Sequence, residues 1–536
     1  MKPIKILFSL LFVLTLNAKS QTPFLKSYGD VNNNFMTNFV TDADGNSYVT
    51  GTIYYPEIQF GDIVLTNDKT YAVYLVKINA DGIPVWGKSV SADGSFFVSD
   101  IALDHSGNIL LTGNYGGDTP VFGEYELADG LANIFIVKYA NDGSVLWATW
   151  QPGETFAVTK MAISDDNEIL IGGNISATEN FNGTEVESFG AYDAFVARYD
   201  EAGNGIWMKS MGGGGSENIS ALAFDHDDNI LIGGDFTEDF TYDILSLDNM
   251  DFTDGFIMKL KNDGTADWVA TNQSMEDEFG PDAIVVDEDN DVYAAIEIYD
   301  GGSVAGTIME SYGLTDACIF KLHGDDGVLS WIKHGGSEQY DAVQHLAIAT
   351  DGLFMTGTFS GAAEFGGLQL YADFVNGFIS SYDFDGNELG VYSITGENFV
   401  TPLALHTDGH GNTYTMGTFY EDVNVDGLPV VETTGSADIF LYKFSSALVA
   451  VNETADPFAV VSIFPNPATD IIHISADDIS SIEEISLTGI TGEVFFYATE
   501  ITSTIQIDIR HFPAGTYFIT ITNLSGNKQT SAFIKN

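Results

Sequence analysis

A short phrase recurs along this chain at a nearly constant interval, and it restricts the fold more than any other feature. The copies end at positions 51, 113, 173, 234, 296, 357 and 417, so successive copies lie 60 to 62 residues apart. They read DADGNSYVTG, DHSGNILLTG, SDDNEILIGG, DHDDNILIGG, DEDNDVYAAI, ATDGLFMTG and DGHGNTYTMG. Self-similarity at such a period indicates a repeat architecture, in which each unit buries its apolar faces against its neighbours.

Each copy of the repeat also contains a second phrase with the pattern of a β-hairpin. Examples are YLVKINADGIPVW (74–86) and FIVKYANDGSVLW (135–147). Alternating apolar residues flank an Asn/Asp-Gly turn, which is the strongest short-range hairpin signal. A third hairpin cue, such as FGEYEL (122–127), lies between the two phrases, and no stretch has sustained 3.6-residue periodicity. We therefore predict an all-β chain with one short antiparallel sheet in each copy.

The edge strands of stacked sheets have unpaired backbone N–H and C=O groups, which a stable fold must cover or keep short. A radial propeller leaves only short edges, so we predict a seven-bladed β-propeller over residues 21–445. Most copies end in a segment such as WGKSV (86–90), but the seventh has none after LYKF (441–444). FLKSYG (24–29) has this pattern, and Phe24 precedes Trp86 by 62 residues. The sequence thus predicts that residues 24–29 supply the last strand of the seventh blade.

A tryptophan begins the closing segment in five copies. Stacking on a sugar and packing between neighbouring blades are two interpretations of this recurrence. We expect packing, because aromatic residues dominate core energetics. Copy six has Gly390 at the equivalent place, so its joint with the next blade is expected to be the loosest. The five residues are Trp86, Trp147, Trp207, Trp268 and Trp331.

The repeat phrases resemble the bacterial secreted β-propeller repeats called SBBP repeats. The segment GGSENISALAFDHDDNILIGG (214–234) fits the outline of that family. The resemblance covers about residues 24–445, and copy five departs from it at Ile296, where the terminal glycine is missing. It implies a propeller fold and an exported setting. Because the family has no single activity, the resemblance does not imply a function.

The charge of the chain excludes two classes of partner. Its 19 Lys and Arg against 77 Asp and Glu give a net charge of −58. Nucleic acid and anionic membrane surfaces both require basic patches, so neither is expected as a partner. A hydrophobic content of 45% and a charged content of only 18% distinguish the chain from disordered acidic sequences. The single cysteine, Cys318, excludes an intramolecular disulfide framework and a thiolate metal cluster.

The first twenty residues have the pattern of a secretory signal peptide. Lys2 and Lys5 precede an apolar run from Ile6 to Leu16, and small residues Ala18 and Ser20 come before Gln21. The apolar run is too short to span a bilayer. We therefore expect residues 1–20 to be removed during export, and we expect no membrane span in the mature chain.

A different pattern begins near residue 460, after an expected linker at 446–459. Alternating apolar residues and glycine turns over 460–536 predict a small β-sandwich. This module resembles the type IX secretion C-terminal sorting domain (type A). The residues that carry the resemblance are Pro465, Asn466, Pro467, Gly489, Gly492, Pro513, Ala514, Gly515, Thr516, Tyr517, Gly526, Lys528, Phe533, Ile534 and Lys535. The resemblance implies that the type IX machinery is a partner and that the protein is secreted or displayed at the cell surface.

Acidic residues suggest two places for a cation. Asp287, Asp289 and Asp291 have the alternating spacing of a calcium loop, although Ile298 stands where an EF-hand needs Glu. Asp also favours such turns without metal, because its side chain accepts hydrogen bonds from its own backbone. We therefore expect turns without a metal, and calcium binding is the alternative. Each loop between copies also carries an acidic residue, and closure of the ring would place these residues around one mouth of its central channel. There they would either fix the loops through hydrogen bonds or bind cations. They are Asp30, Asp93, Glu154, Glu217, Glu278, Glu338 and Glu397.

The sequence offers little support for catalysis or a cofactor. It contains no GxSxG, HExxH, phosphate-binding GxxxxGK[ST] or dinucleotide-binding motif. His323, His334 and His345 lack metal-ligand spacing and are expected at the surface. We expect a non-catalytic binding or adhesion protein whose ligand is an extracellular glycan or protein. The alternatives are an extracellular hydrolase or lyase acting on polysaccharide, and a structural spacer without a discrete ligand.

Overall fold

A computed structural model describes most of the repeat region and the strands of the C-terminal region. The described residues are 22–32, 34–249, 252–273, 280–300, 302–425, 427–445, 462–464, 471–475, 482–489, 494–499, 505–513, 515–523 and 528–535. The predicted signal peptide, the predicted linker, Glu278 and the Pro465–Pro467 segment lie outside them.

Throughout these residues the secondary structure is β-strand with turns, without a helix, so the all-β prediction is confirmed. It follows that no helix of this part of the chain could cross a membrane. The chain divides into two compact units, residues 1–450 and 451–536.

The repeats contribute most of the strands, and an additional strand precedes them. That strand is β1 (Phe24–Tyr28). Repeat one contains β2 (Asn38–Thr41), β3 (Ser47–Ile53), β4 (Glu57–Phe60), β5 (Ile63–Thr66), β6 (Tyr71–Ile78) and β7 (Pro84–Ala92). Repeat two contains β8 (Gly94–Leu103), β9 (Ile109–Gly117), β10 (Val121–Phe122), β11 (Tyr125–Glu126), β12 (Asn133–Tyr139) and β13 (Val145–Gln151).

The next three repeats have the same order of strands. Repeat three contains β14 (Ala157–Ile163), β15 (Ile169–Ile175), β16 (Glu179–Phe181), β17 (Thr184–Val186), β18 (Asp193–Tyr199) and β19 (Gly205–Gly213). Repeat four contains β20 (Glu217–Phe224), β21 (Ile230–Phe236), β22 (Phe240–Tyr242), β23 (Leu245–Leu247), β24 (Asp254–Leu260) and β25 (Ala266–Gln273). Repeat five contains β26 (Ala283–Val286), β27 (Val292–Ile298), β28 (Ser303–Val304), β29 (Thr307–Ile308), β30 (Asp316–Leu322) and β31 (Leu329–Gly336).

The last two repeats depart from this order. Repeat six contains β32 (Ala342–Ala349), β33 (Gly352–Phe365), β34 (Leu368–Tyr382) and β35 (Glu388–Ile394). Its outer hairpin is continuous with its main strands, so β33 and β34 are 14 and 15 residues long. Repeat seven contains β36 (Val400–Thr407), β37 (Asn412–Phe419), β38 (Asp422–Val423), β39 (Val431–Glu432) and β40 (Asp438–Ser445), and it has no fourth main strand of its own among these residues.

Four main strands pair in chain order within a repeat, and the short hairpin between the second and third lies outside this order. In repeat one the order is β2-β3-β6-β7, and all neighbours are antiparallel. The Asn/Asp-Gly turns close these hairpins because glycine adopts a left-handed backbone without strain, as Gly82 does at φ 69°. Local turn chemistry therefore builds each sheet.

Strand β1 completes the sheet of repeat seven. It pairs antiparallel with β40, with Phe24 opposite Lys443 and Tyr28 opposite Ile439. The same strand also contacts repeat one, because the Tyr28 hydroxyl donates a hydrogen bond of 2.9 Å to the Gly82 carbonyl. The beginning of the described chain thus joins the last repeat to the first.

The hydrophobic cores lie between successive sheets. One core combines Val40 and Leu75 of repeat one with Phe96 and Phe135 of repeat two, and the same arrangement recurs at the later joints. Another combines repeat seven with repeat one and includes Met416. The first strand of each repeat packs against that of the next, from β2 through β8, β14, β20, β26 and β32 to β36, and β36 packs against β2.

The repeated tryptophans lie at these joints. The indole N–H of Trp268 in repeat four donates to the Gly324 carbonyl of repeat five at 2.9 Å. Trp331 of repeat five donates in the same way to the Phe384 carbonyl of repeat six at 3.1 Å. An indole ring also fills the space above a turn glycine of the next repeat, as Trp86 does above Gly143. Their recurrence therefore reflects packing between repeats.

The C-terminal unit contains two antiparallel sheets in its described residues. One has the order β41 (Ser462–Phe464), β42 (Ile471–Ser475) and β45 (Ile505–Asp508). The other has the order β44 (Val494–Thr499), β43 (Ile482–Gly489), β46 (Gly515–Asn523) and β47 (Lys528–Lys535). Buried side chains such as Ile485 and Ile519 form its apolar interior.

Candidate functional site

The antiparallel pairing brings two kinds of connection to the same edge of every sheet. In repeat three, Ala157 at the start of β14 pairs with Asn174 near the end of β15. Asp193 at the start of β18 pairs with Ile175, and Met211 near the end of β19 pairs with Ala194. The loops between repeats and the connections around the short hairpins therefore share one edge, which we call the loop face. The Asp-rich turns and the Asn/Asp-Gly turns share the opposite edge, the turn face.

The candidate calcium residues lie on the turn face, where the carboxylates of Asp287 and Asp291 are already bonded and Asp289 is exposed. Asp287 Oδ1 accepts hydrogen bonds from the backbone N–H of Asp289 and Asp291 at 3.0 and 2.9 Å. Its Oδ2 accepts one from the Tyr293 hydroxyl at 2.8 Å. Asp291 forms an ion pair of 2.8 Å with Lys321. Within the described ranges no three His, Cys, Asp or Glu side chains are grouped so that they could hold a metal ion.

The turn face also contains buried ion pairs that the sequence did not reveal. Lys138 pairs with Asp104, and Lys259 with Asp225, both at 2.8 Å with each side chain at most 6% exposed. Burial acts to raise the pKa of both aspartates, but hydrogen bonds from the lysine and a neighbouring asparagine lower it overall. The sequence did contain a signal for them, because copies with an aspartate at the start of the first phrase also have a lysine in the second phrase. These pairs fix the turns from inside.

The described residues of the predicted acidic rim belong to the loop face but differ in exposure. Glu217 is fully buried, Asp30 is half-buried, and Glu278 lies outside the described residues. No hydrogen bond or ion pair among the described contacts joins one of these acids to another. A shared cation at a common mouth therefore stays a prediction. The exposed members are Asp93, Glu154, Glu338 and Glu397.

A second set of loop-face acids is buried, and sequence reasoning missed it. Asp193, Asp316 and Asp438 each begin the third main strand of their repeat and have no exposed surface. Asp193 Oδ2 accepts hydrogen bonds from the Ser188 hydroxyl and from the backbone N–H of Phe189 at 2.5 and 2.7 Å. Such an acid holds the preceding loop against the sheet. The signal in the sequence was an Asp or Asn five residues before the basic residue of the second phrase.

One of these buried acids, Asp193, faces a second carboxylate. An ideal Cβ on Gly212 would lie 2.1 Å from Asp193 Oδ1 and 2.4 Å from Glu217 Oε2, so the two oxygens are no more than 4.5 Å apart. Asp193 Oδ1 and Glu217 Oε1 have no hydrogen-bond partner among the described residues. Burial, with a further contribution from the Asp193 carboxylate, raises the pKa of Glu217 to about 7. Because both side chains are buried, this pair cannot reach a polymeric substrate.

Two of the three histidines expected at the surface, His334 and His345, are half-buried. His345 lies on β32 against His406 of β36, with ring centroids 5.1 Å apart. Burial lowers the pKa of His406 to about 4 and that of His345 well below its ordinary value. Sequence analysis could not anticipate this packing of His345, because its neighbour is 61 residues away in the chain. His323, in contrast, is exposed.

The loop face also exposes large aromatic side chains. They lie in the connections before the third main strands and in the loops between repeats, and roughly half or more of each side chain contacts solvent. The exposed large apolar residues near the Asn/Asp-Gly turns of the turn face, such as Ile83 and Val328, are aliphatic. Exposed aromatic residues are enriched at binding surfaces. The aromatic residues are Tyr54, Phe189, Tyr192, Phe252, Tyr312, Tyr340, Tyr371, Phe374 and Phe399.

Repeat six shapes part of this surface into a groove of about 480 Å³. Its walls include Tyr371, Asp373, Phe374 and Glu397. The groove arises from a bulge, since Phe359 pairs with Asn376 whereas Gly361 pairs with Ala372, leaving residues 373–375 without partners. Sequence analysis identified only Glu397 of this group, because the bulge depends on how two long strands pair.

Comparison with known proteins identifies the C-terminal module. Residues 462–536 match the family model of the secretion system C-terminal sorting domain. Part of the chain is also 27% identical, over 200 residues, to an uncharacterized WD repeat-containing protein of Acanthamoeba polyphaga mimivirus. That match covers 31% of this chain but only 14% of the relative's length.

Solved structures show only distant likenesses. The quinohemoprotein alcohol dehydrogenase of Comamonas testosteroni is 10% identical, with a TM-score of 0.38 over 79% of this chain and 76% of that chain. A europium-containing methanol dehydrogenase is 10% identical, with a TM-score of 0.36 over 78% of this chain and 93% of that chain. At these TM-scores the likenesses assign neither a fold nor an activity. The sorting domain does give an address, and the protein is exported by type IX secretion to the cell surface or the extracellular space.

Proposed function

We propose that this protein is a secreted or cell-surface, non-catalytic binding protein, built on a seven-bladed β-propeller, whose loop face holds an extracellular glycan or protein. The exposed aromatic side chains beside carboxylates on one edge of the sheets carry the proposal. On the opposite edge the first aspartate of an Asp-rich turn is bonded internally, as Asp287 is by the Asp289 N–H and the Tyr293 hydroxyl. The loop face is therefore the edge with unused binding groups.

The propeller is supported by the contacts between repeats. Each first strand packs on the next, β36 packs on β2, and a core fills the joint between repeats seven and one. The pairing of β1 with β40 supplies the fourth strand of the last sheet. Residues 1–20 are its proposed signal peptide, and the two sheets of the sorting domain support a small β-sandwich.

The test is a binding screen of the full mature chain against a glycan array and a panel of extracellular proteins. We expect a ligand whose binding is lost in the loop-face double variant Phe189→Ser/Tyr192→Ser. The matched control is Ile83→Ser/Val328→Ser, which removes exposed apolar groups from the turn face. Binding that survives the loop-face change and is lost in the control would contradict the proposal, as would a panel without any loop-face-dependent ligand.

A further inference from the structure

We propose that the groove of repeat six binds a lysine or arginine side chain of a basic partner protein. The groove is lined by Tyr371, Asp373, Phe374, Asn376 and Glu397. This inference rests on the proposed function, since it places a specific ligand group on the loop face. It adds the chemistry of the ligand, which the loop face as a whole does not define.

The first observation is a pair of exposed aromatic rings. Tyr371 is 68% exposed and Phe374 is 49% exposed, and both line the same open groove of about 480 Å³. The bulge at residues 373–375 makes their arrangement specific to repeat six. An aromatic face attracts a cation through the ring quadrupole, with a typical contribution of about 0.5–2 kcal/mol.

The second observation is the charge of the groove. Asp373 and Glu397 are exposed beside the rings, and no Lys or Arg is among the lining residues. Neither carboxylate takes part in an ion pair among the described residues. The net charge of −58 adds a long-range field of the same sign. An anionic ligand is therefore repelled, whereas a cation is attracted by both carboxylates and by the faces of the two rings.

The third observation is a shortage of hydrogen-bond donors. The Tyr371 hydroxyl already donates to Asp373 Oδ1 at 2.8 Å. Asn376 is 2% exposed, so its amide N–H groups are not presented to a ligand, and its side-chain oxygen accepts from the Gly396 N–H at 3.0 Å. Carboxylates only accept, so Thr395 is the one remaining side-chain hydroxyl in the lining. A neutral sugar needs donors as well as acceptors, whereas an ammonium or guanidinium group only donates. The donor shortage favours the cation.

The arrangement has no equivalent in repeat three. There the connection before β18 is drawn onto the buried Asp193, which accepts from Phe189 N–H. Repeat six has Asn376 at the corresponding position, and its hairpin is continuous with the main strands through the bulge. The side chains of Tyr371, Asp373 and Phe374 therefore face solvent, whereas Ala372 between them is buried in the core.

The experiment measures binding of peptides to the immobilised full mature chain by surface plasmon resonance. The probe is acetyl-GKSRGKSRG-amide, and its uncharged counterpart is acetyl-GQSQGQSQG-amide. Cellohexaose and chitohexaose test for a neutral ligand. We expect the basic peptide alone to bind, with an affinity that falls as salt is raised.

Four single variants locate the contact. Tyr371→Ala and Glu397→Gln are each expected to weaken binding of the basic peptide about 5-fold or more. Tyr392→Ala and Glu124→Gln change the same residue types at exposed positions outside the groove and outside the loops of the loop face, and each should change binding by less than about 2-fold. The melting temperature of each variant checks folding, and Asp373→Asn replaces any groove variant that is destabilised.

The outcomes separate this proposal from the proposed function. Equal loss in all four variants would mean diffuse attraction to an acidic surface and would overturn the groove. Binding of an oligosaccharide that is lost in Tyr371→Ala would overturn the cationic ligand while leaving the loop face as the binding surface. If neither the probes nor any screened ligand depends on the loop face, both proposals fail.

Discussion

The buried carboxylate pair of repeats three and four makes a pH-dependent prediction for Glu217→Gln. Glu217 has no exposed surface, and its pKa is raised to about 7 by burial, with a smaller contribution from Asp193. In the unfolded chain the same group releases its proton near pH 4.5. Between these values the folded state holds the proton that the unfolded state has lost, so stability falls as pH rises.

The size of the effect follows from the difference between the two pKa values. A rise from 4.5 to about 7 corresponds to about 3 kcal/mol of lost stability once the pH exceeds both. Glutamine has the same shape and stays neutral, so the variant escapes this loss. We expect Glu217→Gln to match the wild type near pH 4.5 and to be about 3 kcal/mol more stable at pH 8. In a domain of roughly 420 residues this raises the melting temperature by about 3–4 °C.

The assay is differential scanning calorimetry of both proteins at half-unit steps from pH 4.5 to 8. Only the difference between variant and wild type is interpreted, since other groups titrate in both. Glu154→Gln is the control, because Glu154 lies in the preceding loop between repeats with its side chain solvated in the folded state. A difference for Glu217→Gln that does not grow with pH, or a variant less stable at pH 8, would refute the reasoning.

Four further variants test the packing between repeats, the pairing of β1 with repeat seven, and the export role of the sorting domain. Lys259→Met leaves the buried Asp225 carboxylate without its cation and should destabilise the protein by about 3–5 kcal/mol at pH 7. The loss should be smaller in acid, where protonation of Asp225 removes the unpaired buried charge, and thermal unfolding at both pH values checks this. Trp268→Ala removes an indole that is 7% exposed and should cost about 3–5 kcal/mol by calorimetry; a change under 1 kcal/mol would contradict its place at the joint. Deleting residues 22–28 should lower the melting temperature sharply, and an unchanged value would contradict closure through β1. Truncation of residues 460–536 should leave the protein inside the outer membrane in a fractionation assay; normal release would contradict the role of the sorting domain.

Local chemistry made much of the fold predictable from the sequence. The Asn/Asp-Gly turns, the alternating strands and the constant period predicted short antiparallel sheets, because a hairpin is decided by residues adjacent in the chain. The C-terminal resemblance predicted the sorting domain that the family comparison confirms. The Asp287 turn was recognisable for the same reason, since its carboxylate bonds its own backbone.

The proposed binding surface could not be predicted in the same way. Glu217 and Glu338 occupy comparable loops, yet one is buried and the other exposed, because burial depends on what the next repeat places above each residue. The groove needs Asp373 and Glu397 brought together by a bulge in β34, and nothing in either local segment encodes that pairing. By itself the sequence determined the strands, the turns and the export signal. Tertiary structure alone decided which acids are buried, which edge carries the aromatic residues, and where a ligand could fit, because each of these depends on contacts between residues distant in the chain.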